Sequence, residues 1–188
     1  MPSRFPTRLR VMLACAGLSV LALAACTEDA PTPTGPDLAL TPGAEMDAHR
    51  GGHRLRAALA RMRRATARYH DLNAALADGF VFLHGCEVRP DEGPAGVLYV
   101  HFERLLDGRI DPSKPDALLY EPRGEGKFTL VGAELAIPYT QWTEPEPPEF
   151  FGAEFQPEDE FGVWGLHVWI WRRNPEGMFA ESNPRVSC

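Results

Sequence analysis

The chain has 188 residues, of which 44% are hydrophobic and 24% charged, and its formal net charge at pH 7 is −7. This length and apolar content suit one globular domain with its own core and argue against two domains. The negative charge argues against nucleic acid as a partner, because surfaces that bind nucleic acid are basic.

The first 26 residues have the pattern of an export signal. Three arginines, Arg4, Arg8 and Arg10, precede an apolar run over residues 11–25, and the run ends in Leu-Ala-Ala-Cys at residues 23–26. A basic start, a short apolar run and small residues at its end are the parts of a secretory signal. The run is shorter than the roughly 20 residues that a membrane span requires.

The Leu-Ala-Ala-Cys string also resembles the lipobox of bacterial lipoproteins. The resemblance implies cleavage after residue 25, a signal peptide over residues 1–25, and attachment of diacylglycerol and a further acyl chain such as palmitate at Cys26. The protein would then be held in the cell envelope outside the cytoplasm. An outer-membrane address is favoured because Thr27, and not aspartate, follows the cysteine. The alternative is a secreted protein or an uncleaved apolar segment.

Residues 26–46 are rich in proline, threonine and small residues and show no period. Such a segment cannot bury enough apolar surface to offset its ordering, so it predicts a disordered tether. Residues 47–188 are then a single domain.

A long helix is predicted from Asp47, as N-cap, to about Asp78-Gly79. One side of this helix is marked by a stripe of mainly apolar residues at alternating steps of four and three. The stripe comprises Leu55, Leu59, Met62, Thr66, Tyr69, Asn73, Leu76 and Phe80. Seven arginines and no acid fall between residues 50 and 68. They indicate either a solvated face that is paired with the acidic remainder of the domain or a surface for anionic lipid headgroups.

Alternating patterns after the helix predict four or five strands within residues 81–86, 96–102, 117–120, 127–137 and 161–171. One long helix followed by short strands predicts an α+β fold, with the sheet antiparallel and curled against the helix. Residues 138–160 are rich in proline and carry seven carboxylates between Glu144 and Glu160. They predict a mobile acidic flap, since long connections are commonly lids or binding loops.

The tryptophan-rich segment Phe161–Trp171 predicts a strand that is covered on both faces. Period two places Trp164, Leu166, Val168 and Ile170 on one face, and Val163, Gly165, His167, Trp169 and Trp171 on the other. His167 is then a polar group away from water, and it needs a hydrogen-bonding or metal partner.

Two cysteines remain once Cys15 has left with the leader and Cys26 has been lipidated. In an exported chain an even remaining pair predicts a disulfide, here between Cys86 and Cys188. A metal or redox centre at His84-Gly85-Cys86 is the weaker alternative, because the cysteines lack CxxC spacing.

The mature part resembles a family of exported bacterial hypothetical proteins over roughly residues 65–188. The strings that carry the resemblance are Leu-Leu-Tyr-Glu-Pro at 118–122, Leu-Val-Gly-Ala-Glu at 130–134, Leu-His-Val-Trp-Ile-Trp at 166–171, Asn-Pro-Glu-Gly-Met-Phe at 174–179 and Asn-Pro-Arg-Val-Ser-Cys at 183–188. It implies an independent domain outside the cytoplasm and no defined activity. Where that pattern has a histidine and a tyrosine, this chain has Leu98 and Leu135.

The polar residues that could converge on a metal ion are His84, His101, Glu134 and His167. Imidazoles with a carboxylate suit zinc, and an open fourth position would permit hydrolysis. Alternatively, His167 and Glu134 bond each other or the backbone across adjacent strands. The chain has no GxSxG motif and no HExxH spacing, and no catalytic residue is assigned.

These observations predict a lipid-anchored, extracytoplasmic binding or interaction domain without catalytic activity. Its partners would be the membrane, through Cys26, and a small apolar ligand or a metal such as zinc. The ligand pocket is predicted between helix and sheet, lined by Tyr99, Phe128, Trp169 and Trp171 beside His167. The alternative function is a metal-dependent hydrolase that uses His101, Glu134 and His167. A protein-protein adaptor with an apolar patch near the acidic flap is a third class.

Overall fold

A computed structural model describes residues 42–86, 88–89 and 93–188, and for residues 42–49 and 89 the backbone alone. The predicted leader, Cys26 and residues 26–41 of the predicted tether lie outside the described residues. Helix α1 spans Pro42–Thr66 and so begins before the predicted N-cap, Asp47. A proline is favoured in the first turn of a helix, where its missing N–H costs nothing. Residues 42–46 therefore belong to the helix and not to the tether.

The predicted helix continues past Thr66 in pieces, as a 3-10 helix over Ala67–His70 and helix α2 over Leu72–Ala77. The buried Thr66 hydroxyl donates to the Met62 carbonyl oxygen at 2.8 Å and accepts from Trp171 Nε1 at 3.0 Å. Such bonding back to the preceding turn bends helices. Asp71 then caps α2 by accepting from the Asn73 N–H at 3.0 Å. The predicted stripe of core residues therefore does not lie along a single straight helix but changes direction after Thr66.

Six antiparallel strands form the main sheet, so the α+β prediction is confirmed with one more strand than expected. The strands are β1 (Val81–His84), β4 (Val97–Val100), β5 (Ala117–Pro122), β6 (Phe128–Pro138), β9 (Gln156–Glu158) and β10 (Val163–Val168). Their order across the sheet is β1-β4-β5-β6-β10-β9. The additional strand, β9, comes from the segment that was predicted as an acidic flap.

Two small hairpins and two short helical segments complete the described elements. Strand β2 (Val88–Arg89) pairs with β3 (Gly93–Pro94), and β7 (Glu149–Phe150) pairs with β8 (Ala153–Glu154). Helix α3 spans Phe102–Leu105, and a 3-10 helix spans Tyr139–Gln141. Helix α3 begins where the predicted strand over residues 96–102 was expected to end.

The two faces of the sheet are covered differently. On one face, α1 packs its buried residues Ala58, Leu59 and Met62 against the strands in the larger core. We call this the helix face. The strand residues of that core are Val97, Tyr99, Leu118, Tyr120, Leu130, Ala133, Leu135, Leu166 and Val168. The opposite face carries a smaller cluster of Leu98, Val100, Ala117, Leu119, Val131, Trp169 and Val186.

Strand β10 lies where the tryptophan-rich segment predicts it and is interior, between β6 and β9. The alternation ends at Val168, because the N–H groups of Trp171 and Arg172 both donate to the Val131 carbonyl oxygen, at 3.1 and 2.9 Å. Trp171 consequently packs in the helix-face core together with Ile170. Its predicted face, shared with His167, is therefore wrong.

The predicted disulfide between Cys86 and Cys188 is confirmed, with a Cα–Cα distance of 5.2 Å and a sequence separation of 102 residues. It fixes the C-terminal segment near the end of β1, and Val186 of that segment packs in the smaller cluster opposite the helix face. Among the described residues, no helix is long and apolar enough to cross a membrane.

Candidate functional site

Glu134 and His167 lie side by side on the face of the sheet opposite the helix. They are directly paired across β6 and β10 in the antiparallel register. Side chains of directly opposite residues leave the sheet on the same face, so the two polar groups meet. The Nε2 atom of His167 lies 3.9 Å from Oε2 of Glu134.

Glu158 reaches the same place from the short edge strand β9. It pairs with Val163, which stands on the His167 face of β10. Gly165 stands between Val163 and His167 on this face, and a Cβ atom there would overlap Glu158 Oε1 and lie 2.9 Å from Glu134 Oε1. Because Gly165 has no Cβ atom, there is room at this position for the carboxylates of Glu134 and Glu158.

Ligand atoms from Glu134, Glu158 and His167 all lie within 4.8 Å of one another. Donors that bind one Zn²⁺ at about 2.0 to 2.2 Å are about 3 to 4 Å apart. A small movement of the three side chains toward one another would therefore let them bind a single ion. We call this group the carboxylate-histidine cluster. Imidazole and carboxylate together suit divalent transition ions such as Zn²⁺, Mn²⁺ or Fe²⁺.

His167 is held by a second contact that fixes its ring. Its Nδ1 lies 2.6 Å from the Glu181 carbonyl oxygen, and an N–H at this position donates to the carbonyl. With the proton on Nδ1, Nε2 carries the lone pair and faces Glu134. Histidines that bind metals commonly have this arrangement, in which a backbone carbonyl sets the tautomer and the orientation.

Glu134 is only 2% exposed, and its Oε2 has no hydrogen-bond partner among the described residues. Burial raises the pKa of this carboxyl group well above its usual range, and the neighbouring charges of Glu158, Asp116 and Glu181 raise it further. A buried carboxylate surrounded by other carboxylates must bind a cation or hold a proton.

Asp116 extends the same acidic environment. It is 1% exposed, its Oδ2 accepts from the Ala136 N–H at 2.9 Å, and its Oδ1 has no partner among the described residues. Burial raises the pKa of Asp116 to about 7, although the bond from Ala136 opposes the shift. This residue was not identified from the sequence.

Two cavities adjoin the cluster. The larger has a volume of about 230 Å³ and is lined by Glu158 and His167 together with His84, Phe161 and Glu181. The smaller, of about 20 Å³, lies between Asp116, Glu134 and Glu158. Among the described residues, neither lining includes a lysine or arginine, and Arg104, which bonds the Pro115 carbonyl oxygen, is a cation whose charge acts on Asp116.

The other predicted site residues do not join Glu134 and His167 around an ion. His101 precedes α3 and packs its ring edge-on against Phe80, with centroids 5.2 Å apart. Tyr99 packs against Tyr120 and Phe128 in the helix-face core. The cavity that adjoins His167 therefore lies opposite the predicted position between helix and sheet.

The two tryptophans have separate structural roles. Trp169 lies near His167, with ring centroids 5.9 Å apart, and its Nε1 donates to the Ala180 carbonyl oxygen at 2.6 Å. Trp171 instead donates to Thr66 and meets the His70 ring at 4.4 Å. Trp169 thus helps to fix the segment that carries Glu181, whereas Trp171 joins sheet and helix.

Glu158 is the member of the carboxylate-histidine cluster that was not predicted from the sequence, because it belongs to the stretch predicted as an acidic flap. A signal was present in Gly165, the one small residue on the His167 face of a strand otherwise built of large side chains. A glycine inside a strand often marks a place where another group approaches closely.

Comparison with protein-family models, curated proteins and solved structures finds no significant match for this chain.

Proposed function

We propose that this protein is an exported, lipid-anchored domain that binds one divalent transition metal ion through Glu134, Glu158 and His167. The observation that carries the proposal is the buried Oε2 atom of Glu134, which has no partner among the described residues and faces two further ligand groups. An ion at this point would satisfy that oxygen and neutralise the two carboxylates.

The charge balance favours an ion over a purely structural role. Glu121 shows what a structural buried glutamate looks like in this fold, because its carboxylate pairs with Arg123 and Arg172. The charged neighbours of Glu134 are carboxylates, whereas those of Glu121 are guanidinium groups. The alternative considered from the sequence was that His167 and Glu134 bond each other or the backbone. A bond between the two is not supported at 3.9 Å, which exceeds hydrogen-bond length, whereas His167 does bond a backbone carbonyl, that of Glu181.

The location outside the cytoplasm is supported by two independent features. The Cys86–Cys188 bond is of a kind that persists in oxidising compartments and is rare in the cytosol. The lipobox at residues 23–26 would attach lipid at Cys26, and two or more acyl chains hold a protein firmly on a membrane.

Metal titration tests the proposal. The mature chain, beginning at residue 26 with Cys26→Ser to prevent lipidation, is stripped with chelator and titrated with Zn²⁺ and Mn²⁺ by calorimetry. We expect one ion per chain. Glu134→Gln and His167→Gln should each weaken binding by about a hundredfold or more, since losing even an outer-shell partner costs ten- to a hundredfold.

Matched controls are available in the same chain. Glu154→Gln removes an exposed carboxylate from β8, and His53→Gln removes an exposed imidazole from α1. Both should bind the ion as the parent does. Absence of stoichiometric binding by the folded parent protein, or equal loss in the controls, would refute the metal site.

A metal-dependent hydrolase is a second candidate, favoured by the 230 Å³ cavity that Glu158 and His167 line. Three protein ligands leave a coordination position for water, and the cavity has room for a small substrate beside it. Here Glu158 would take the place predicted for His101. Turnover of neutral nitrophenyl esters that requires added Zn²⁺ and is lost in Glu134→Gln would support hydrolysis. Metal binding without such turnover would contradict the hydrolase and support the metal-binding function only.

A further inference from the structure

Helix α1 has a basic side that the metal site does not use. Its buried residues Ala58, Leu59 and Met62 face the sheet. We define the arginine face as four exposed arginines on one side of the helix, Arg50, Arg54, Arg61 and Arg64. Arg56 is two residues from Arg54 and so lies on another side of the helix, Arg63 is half-buried, and Arg68 follows the end of α1.

The spacing of the arginine face makes it a continuous line. Positions 50, 54, 61 and 64 are separated by four, seven and three residues, which are the steps that return to one side of a helix. At 1.5 Å per residue they cover about 21 Å along the helix axis. No acidic residue lies between positions 50 and 68 of the sequence, and Asp111 is the acid whose pKa the charge of Arg61 lowers.

Charge is therefore separated across the sheet. The arginine face lies on the helix that covers one side, while Asp116, Glu134 and Glu158 gather on the other side. An extended anionic surface would attract the first region and not the second. Such a surface would orient the domain as well as bind it.

We propose that the arginine face lies on anionic lipid headgroups of the membrane that carries the Cys26 anchor, with the carboxylate-histidine cluster directed away from that membrane. Cys26 precedes Pro42 by 16 residues, so a fully extended connection reaches at most about 55 Å. The anchor thus keeps the helix close to headgroups, and each arginine near an anionic surface contributes about 1 kcal/mol. Nucleic acid is disfavoured because the chain is acidic outside this helix.

The orientation goes beyond the proposed metal binding and depends on the proposed anchor only for proximity. The unlipidated mature chain with Cys26→Ser, which keeps every described residue, is mixed with phosphatidylcholine vesicles with or without phosphatidylglycerol. Sedimentation measures binding. We expect binding to the anionic vesicles alone, and salt should weaken it.

The triple variant R54Q/R61Q/R64Q should bind the anionic vesicles about a hundredfold more weakly, or about fivefold per arginine. The matched control R109Q/R173Q/R185Q removes the same charge from exposed positions outside α1 and should bind as the parent does. Circular dichroism checks that both variants fold.

Three outcomes would overturn the inference. They are equal binding to neutral and anionic vesicles, equal loss in the control variant, and tighter binding to duplex DNA than to anionic vesicles. Each can occur while the metal titration still succeeds, so failure of the membrane orientation is distinguishable from failure of the metal site.

Discussion

Two glutamates of the same sheet are equally buried, at 2% exposure each, yet their surroundings are opposite. Glu121 on β5 pairs with Arg123 at 2.7 Å and with Arg172, and its Oε1 accepts from the Ser187 N–H at 3.1 Å. Glu134 on β6 lies among carboxylates, and one of its oxygens has no partner among the described residues. Among the described residues, the fold thus pairs one carboxylate with two guanidinium groups and surrounds the other with carboxylates.

The region around Glu121 therefore maintains the fold, whereas the region around Glu134 has buried acid without a cationic partner among the described residues. Near Glu121, the Ser187 contact and the adjacent disulfide attach the chain terminus to the sheet. Near Glu134, carboxyl groups are buried without cationic partners among the described residues, which lowers the free energy of unfolding of the metal-free protein. Changes in the first region should therefore reduce stability, and changes in the second should alter metal binding and pH response.

The largest effect is expected from removal of the disulfide. Replacing both cysteines by serine, C86S/C188S, opens a loop of 102 residues, which in the chain-entropy model lowers the free energy of unfolding by about 4 to 5 kcal/mol. Urea unfolding measures the loss. Metal affinity should also fall, because the C-terminal segment carries the Glu181 carbonyl that holds His167. Unchanged stability would show that other contacts fix this segment.

Asp116 should give the metal-free protein an unusual pH response. Its pKa rises from 3.8 in the unfolded chain to about 7 in the fold, mainly through burial. Between these values the unfolded state binds fewer protons, so stability falls as pH rises from about 4 to about 7, by at most about 4 kcal/mol. Glu134, whose pKa is also raised, adds to the same slope.

The variant Asp116→Asn should flatten this slope, because an amide does not titrate and can still accept from the Ala136 N–H. Urea unfolding in chelator at several pH values measures it, with the exposed Glu154→Gln as control. If Asp116→Asn and the parent show the same slope, Asp116 is not the group responsible.

Much of the fold could be predicted from local patterns. The helix stripe, the faces of β10 up to Val168 and the Cys86–Cys188 pairing each follow from residue spacing or cysteine count. The helix break was not predicted, because it depends on the Thr66 hydroxyl and its contact with the distant Trp171.

The candidate site could be predicted only in part. Glu134 and His167 stand out because each is polar within an apolar strand, and register then pairs them. Asp116 and Glu158 could not be selected in the same way, since one follows a loop and the other lies among seven carboxylates of similar appearance. Their positions depend on contacts between distant parts of the chain, and these contacts leave no periodic pattern in the local sequence.

Replacement of Glu121 should reduce stability by less than loss of the disulfide does. Glu121→Gln removes the partner of Arg123 and Arg172, which retain 46% and 30% side-chain exposure and can turn toward water. The loss of a buried pair, about 3 to 5 kcal/mol when both partners are buried, should here be about 2 to 3 kcal/mol. Metal affinity should stay unchanged. A loss of metal binding without a loss of stability would reverse the roles assigned to the two glutamates.

The smallest expected effect is a gain of function at Leu98. This side chain lines both cavities beside Glu158, and it is 8% exposed. Leu98→His would offer a second imidazole to the ion, and we expect Zn²⁺ affinity to rise about tenfold, or about 1.4 kcal/mol. Leu130→His is the matched control, since Leu130 is in the helix-face core, away from the cluster. Competition with a chromophoric chelator measures affinity, and circular dichroism checks folding. A folded Leu98→His protein with no gain would place the ion farther from Leu98 than the cavities indicate.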